Sequence, residues 1–140
     1  MEKGFITFGK DYLAALELKN FLVKLKIEPI ILEEQPDLGL AVIEKFERYA
    51  NPCSVAFIIM SPDDNIKDKS GLEFNAARQN VIMELGWFMR HIGRSKVVII
   101  HKKGTYIPSN IAGVLYLQYE NSILEVSERI RDRLVSINFI

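Results

Sequence analysis

Short β-rich runs alternate with longer helical patterns along this chain, and one run, SVAFIIM (54–60), is apolar throughout. These two observations predict an α/β fold. The expected architecture is flavodoxin-like: a five-stranded parallel sheet, order 2-1-3-4-5, with helices on both faces. A run without polar alternation belongs in the middle of such a sheet, where both faces are covered. At 140 residues, 49% hydrophobic and 26% charged, the chain has the size and balance of one soluble globular domain over 1–140.

The elements follow in order. GFITF (4–8) reads as the first strand, ending at Gly9. Residues 12–25 place Leu13, Leu16, Phe21, Leu22 and Leu25 at helical spacing. PIIL (29–32) is a short second strand, and EEQPDLG (33–39) is a polar loop with Pro and Gly. Residues 40–49 form a helix that turns Val42, Ile43, Phe46 and Tyr49 to the core. SVAFIIM is the third strand, and SPDDNIKDKSG (61–71) is rich in turn residues. A long helix spans 72–93, KVVIIH (96–101) is the fourth strand, and 102–113 is mostly loop. VLYLQY (114–119) is the fifth strand, and 122–135 is the closing helix.

Charge and composition exclude several classes. Lys+Arg and Asp+Glu number 18 each, so the chain lacks the basic excess of a nucleic-acid or anionic-membrane binder. No apolar run approaches the roughly 20 residues that span a bilayer. The start, MEKGFITFGKD, lacks the apolar stretch of a signal peptide, and a cytoplasmic protein is expected. One cysteine, Cys53, excludes an internal disulfide and reads as a small buried hydrophobe.

Ligands of such sheets bind at the carboxyl ends of the strands, where strand order reverses. Here that place is Gly9, Lys10 and Asp11 after the first strand, and Ser61, Pro62, Asp63 and Asp64 after the third. The loop 33–39 is expected to overhang the same edge.

The stretch RQNVIMELGWF (78–88) carries the most pointed chemistry. With about 100° per residue, Ala77, Leu85, Phe88 and Ile92 fall within about 40° of Val81 and define a core face. Glu84 lies about 60° from its centre, and Asn80, Trp87 and His91 lie on the same side. Asn80 and Glu84 are i,i+4 neighbours and can meet. A carboxylate there is partly desolvated, so its pKa is expected to rise. Periodicity alone leaves Glu84 open between a solvated residue, a salt-bridged one and a catalytic one, with Arg78, Arg90 or Lys10 as possible ion-pair partners. Trp87 stays open between packing and a platform for a ligand.

Other chemistry is thinner. His91 and His101 lack metal-ligand spacing, and no metal site is expected. Ser61, His101 and Asp63 can be drawn as a triad, but no nucleophile-elbow motif supports it. GFITFGKD has neither the P-loop nor the GxGxxG pattern. Asp63 and Asp64 read as turn or capping residues more readily than as magnesium ligands.

Six stretches taken together resemble the bacterial TIR-like family of cyclic-nucleotide-activated antiphage effectors, the CBASS and Pycsar types. They are FITFGKD, LKIEPIILEEQPDLG, IEKFERYA, AFIIMSPDD, ARQNVIMELGWFMRHIGRSKV and IPSNIAGVLYLQY. They occur in family order over nearly the whole chain, and some family members fuse this domain to a STING-type cyclic-dinucleotide sensor. The resemblance implies a TIR fold and cleavage of NAD+ between nicotinamide and ribose. NAD+ is then the substrate, and no cofactor is implied.

The resemblance assigns the catalytic role to Glu84, within RQNVIMELG. It matches Glu33, Glu34, Gln35, Pro36, Asp37, Leu38 and Gly39 to the BB loop, which gates the site and joins subunits. Gly9, Lys10 and Asp11 match the pocket-lining loop after the first strand. The family often has His before that Gly, as in VHGRD; here Phe8 offers stacking instead of polar contacts. Asn80 is expected to orient Glu84, and Trp87 to face the substrate. Asp63 is expected to contact ribose or hold the loop, and Arg78 and Lys10 are candidates for the pyrophosphate.

Two rivals accompany this reading: a nucleoside-type N-glycosyl hydrolase or transferase, and a TIR scaffold that only assembles. A receiver domain fits poorly, because the first strand ends Phe8-Gly9-Lys10 and Glu120 follows the last. Self-association through TIR contacts and a fused or associated cyclic-nucleotide sensor are the expected partners. SINFI after the closing helix leaves no room for a sensor within these residues, and an excised domain and a stand-alone protein both remain open.

Overall fold

The computed structural model describes residues 1–111 and 113–140; Ala112, inside the loop expected over 102–113, lies outside the described residues. The strands are β1 (Lys3–Thr7), β2 (Glu28–Ile31), β3 (Val55–Met60), β4 (Asp64–Lys67), β5 (Glu73–Ala76), β6 (Val97–Lys102) and β7 (Leu115–Tyr119). The helices are α1 (Tyr12–Lys24), α2 (Val42–Ala50), α3 (Gln79–Ile92) and α4 (Ser127–Ser136).

Five strands form a parallel sheet in the order β2-β1-β3-β6-β7. In chain order of its members this is 2-1-3-4-5, as the alternation of elements predicts. All six residues of β3 are buried, because both faces of this central strand carry helices. Alternation along the strands divides the core. Ile6, Phe57, Ile59, Val98 and Ile100 pack with Leu18 and Leu22 of α1 and Ile130 and Leu134 of α4. Phe5, Ala56, Ile58, Met60 and Ile99 face the other way, onto Phe46 of α2 and Val81, Leu85 and Phe88 of α3. The rings of Phe5, Phe46 and Phe88 meet with centroids 5.1 to 5.7 Å apart.

Val42 and Ile43, expected in the core, are instead 81% and 48% exposed in the first turn of α2, and the helix buries Phe46 and Ala50. One expected element is also corrected. The helix expected from Leu72 begins instead at Gln79, and β4 and β5 form an antiparallel hairpin ahead of it. Turn chemistry decides this. The Asp68 carboxylate accepts hydrogen bonds from the backbone N–H groups of Ser70 and Leu72, and Gly71 takes φ +89°. Residues 73–76 then alternate in the β period, Asn65 donates across the hairpin to Asn75, and Phe74 packs on Tyr106. A helical pattern read from 72 onward misses this.

Among the described residues no helix is long and apolar enough to cross a membrane.

Candidate functional site

The site is built from the end of β1, the loop after β2, the start of α2 and the first half of α3. A cleft of about 500 Å³ is lined by Leu32, Glu33, Ala41, Val42, Ile43, Phe46, Asn80, Met83 and Glu84. Its walls are largely apolar, and its polar groups are two carboxylates and one amide.

Glu84 is more buried than its helical angle suggests, at 8% exposure. The Thr7 hydroxyl donates to Oε1 of Glu84 at 2.8 Å, in a buried contact. Burial pushes the Glu84 carboxyl up to about 7; the Thr7 hydrogen bond opposes the rise, and the charge of Glu33 adds to it. No hydrogen bond joins Asn80 to Glu84 among the described residues, although both line the cleft. Thr7 therefore takes the contact expected of Asn80. Its signal lay in the strand period: Thr7 is two residues from Phe5, so it faces the same α3 layer at the carboxyl end of the strand.

The loop 33–39 is tied down along its length. Glu34 pairs with Lys19 at 2.9 Å, and Asp37 pairs with Lys45 at 2.7 Å. Gln35 donates to the Ile31 carbonyl, and the Tyr49 hydroxyl donates to the Pro36 carbonyl. Leu38 and Gly39 carry positive φ at its tip, and the Leu38 side chain is exposed. Of these residues, Glu33 reaches the cleft.

A second hollow, about 400 Å³, lies at the carboxyl ends of the strands and is lined by Lys10, Asp11, Ser61, Pro62, Asp63 and Lys102. Its two aspartates are engaged. Asp63 accepts from the Lys10 backbone N–H at 3.0 Å and from the Ser61 hydroxyl at 2.6 Å. Asp63 thus holds the loop after β1. Gly9 sits against this carboxylate so closely that any Cβ would collide with it. Asp11 caps α1 through the Ala14 N–H at 3.1 Å and accepts from the Tyr119 hydroxyl at 2.6 Å. Ser61 thus bonds Asp63 and not His101, whose buried Nδ1 has no partner among the described residues.

Arg78 stands between the two regions. Its side chain lies beside Gly9, and it precedes Asn80 by two residues at the start of α3. Gly9 and Arg78 border the hollows without lining them, and Phe8 and Trp87 also lie outside both. Phe8 packs with the α1-side core, its ring 5.6 Å from Tyr12, because strand alternation turns it away from Thr7. Trp87 packs edge-on against Phe46 and Phe88, both at 5.1 Å, and lies 4.5 Å from His91. Glu84, Asn80 and Glu33 are brought together; Lys10, Asp11 and Asp63 form a second group at the same carboxyl end of β1.

A doubly wound α/β domain with one buried carboxylate opening on a cleft beside the loop after its second strand is the class of protein this geometry defines. Residues 3–121 match the family model described as CAP12/Pycsar effector protein, TIR domain, and the chain belongs to that family. The Escherichia coli K12 protein YuaY is 39% identical over 122 residues, 84% of this chain and 40% of its own length. The Pycsar effector protein BcPycTIR of Burkholderia cepacia is 34% identical over 79 residues, 55% of this chain and 26% of its own length. The chain thus spans less than half the length of either relative. A response regulator receiver domain from Clostridium thermocellum shares the fold at TM-score 0.50 and 12% identity, over 99% of this chain and 98% of its own. That likeness is one of fold alone.

Proposed function

We propose that this chain is an NAD+ nucleosidase in which Glu84 stabilises the ribosyl cation formed as nicotinamide departs. The observation that carries this reading is a carboxylate 8% exposed, fixed through one oxygen, at the wall of a ligand-sized cleft. Breaking the bond between C1′ and the nicotinamide nitrogen moves the electron pair onto a ring that was already cationic. Nicotinamide leaves neutral, so no strong general acid is needed. Positive charge grows on the ribose, where ionised Glu84 faces it at short range in a poorly solvated cleft. Water attacks C1′ and loses its proton to give ADP-ribose; attack by the adenine ring gives a cyclic form. The reaction needs no metal and no further cofactor, since NAD+ is the substrate.

Family membership supports a setting in cyclic-nucleotide-triggered antiphage defence, with a fused or associated sensor domain driving self-association. Leu38 and Val42, 55% and 81% exposed beside the cleft, supply apolar surface for contacts between copies.

The test is NAD+ turnover by HPLC across protein concentration, for wild type and Glu84→Ala, with nucleosides as competing substrates. Turnover is expected to rise faster than linearly with protein and to fall at least about 100-fold in the variant. Intact NAD+ beside a cleaved nucleoside would favour a nucleoside hydrolase. Absence of turnover in the assembled protein would favour a scaffold.

A further inference from the structure

We propose that Thr7 is a positioning residue for Glu84, holding Oε1 and leaving Oε2 as the oxygen presented to the ligand. The inference rests on the reading of Glu84 as the reacting carboxylate. It deepens that reading by naming what aims the group.

The geometry is specific. Thr7 is 2% exposed and closes β1, which is paired on both sides, to β2 and to β3. Its backbone is therefore anchored; Thr7 itself pairs with Ile58 of β3. A β-branched side chain has few rotamers, so the hydroxyl direction is largely set by the strand. Its neighbours on that face, Phe5, Ile58 and Met60, are apolar. A hydroxyl buried among them without a partner would be costly, and its partner is Glu84 Oε1 at 2.8 Å. An ionised carboxylate can only accept, so the Thr7 hydrogen lies on this bond and favours the ionised form. Among the described residues no other hydrogen bond reaches the Glu84 side chain. Flexibility of a long glutamate would otherwise let the carboxylate swing along the cleft.

The elements around Glu84 bring few other charges. The loop after β2 contributes Glu33, α2 contributes Ala41, Val42, Ile43 and Phe46, and α3 contributes Asn80 and Met83. Glu33 is the other titratable group of that lining, and it opposes ionisation. Thr7 is thus the polar partner that counters both burial and Glu33.

The test compares wild type, Thr7→Val, Thr7→Ser and Glu84→Gln in two measurements. The first is kcat and KM for NAD+ across pH. The second does not need activity: titration of the Glu84 carboxyl by ¹³C NMR, its signal assigned by its loss in Glu84→Gln. Thr7→Val keeps the shape of the side chain and removes the donor. It is expected to raise the Glu84 midpoint by about one pH unit and lower kcat at neutral pH by about tenfold, with little change in KM. Thr7→Ser, which keeps the hydroxyl, restores both. An unmoved titration in folded Thr7→Val would overturn the proposal, even if kcat fell. If none of the proteins cleaves NAD+, the proposed function fails while the titration still decides the role of Thr7.

Discussion

Thr7 and Glu84 are 77 positions apart in sequence, and their side chains share a buried hydrogen bond of 2.8 Å. The bond joins the end of the second-placed strand of the sheet to the middle of α3. It fixes one oxygen of a carboxylate whose exposure helical spacing leaves ambiguous.

The pH dependence of turnover follows from the state of that carboxylate. In the proposed reaction ionised Glu84 is the active form, and burial pushes its carboxyl up to about 7. Activity is therefore expected to rise through neutral pH and level off above about pH 8. Glu33→Gln removes a negative charge that raises this value, so the acidic limb of a pH–rate profile should move to lower pH. A limb that stayed fixed would remove Glu33 from the electrostatics of the cleft.

Stability carries the same signature with a definite sign. The native carboxyl titrates near 7, above its ordinary value of 4.5, so the native state binds this proton more tightly than the unfolded chain. Stability from this group is full below about pH 4.5, falls as pH rises toward 7, and is constant above. Glu84→Gln abolishes the loss. Urea unfolding should show the variant more stable than wild type at pH 8, by on the order of 1–3 kcal/mol, and close to wild type at pH 4.

Gly9 is required by a close approach of the chain to the Asp63 carboxylate. Gly9→Ala forces the two apart and strains the Lys10 N–H···Asp63 bond of 3.0 Å. A loss of about 1–3 kcal/mol in urea unfolding is expected. In an Asp63→Ala background the same change should cost less, since the colliding group is gone. Equal costs in both backgrounds would place the strain elsewhere.

Cys53 should be chemically silent in the native protein. It is 3% exposed, and burial pushes its thiol up to about 12, which leaves almost no thiolate at neutral pH. Iodoacetamide at pH 8 is expected to leave the folded chain unmodified and to alkylate it in urea. Mass spectrometry of the two samples reads the outcome.

Much of the fold was legible in residue order. The uninterrupted run of β3 marked the sheet centre, and the apolar spacing of Val81, Leu85 and Phe88 marked the face that α3 buries. The hairpin of β4 and β5 escaped because its strands are short and its turn depends on how Asp68 bonds its neighbours. Phe8 and Trp87 are aromatic and close to the site in sequence. Strand alternation and the Phe46–Phe88 packing nevertheless take them out of both hollows.

Residue order by itself determined the sheet and the family, and it singled out Glu84 as a candidate. The sheet depends on local periodicity, and the family on six stretches and their order along the chain. Only the tertiary structure decided what surrounds Glu84: its burial, the Thr7 hydroxyl on one oxygen, the Glu33 charge nearby, and the engagement of Asp11 and Asp63 elsewhere. Desolvation and hydrogen bonding act over a few ångströms between groups far apart in the chain, so the charge of this glutamate is set where β1, α3 and the loop after β2 converge.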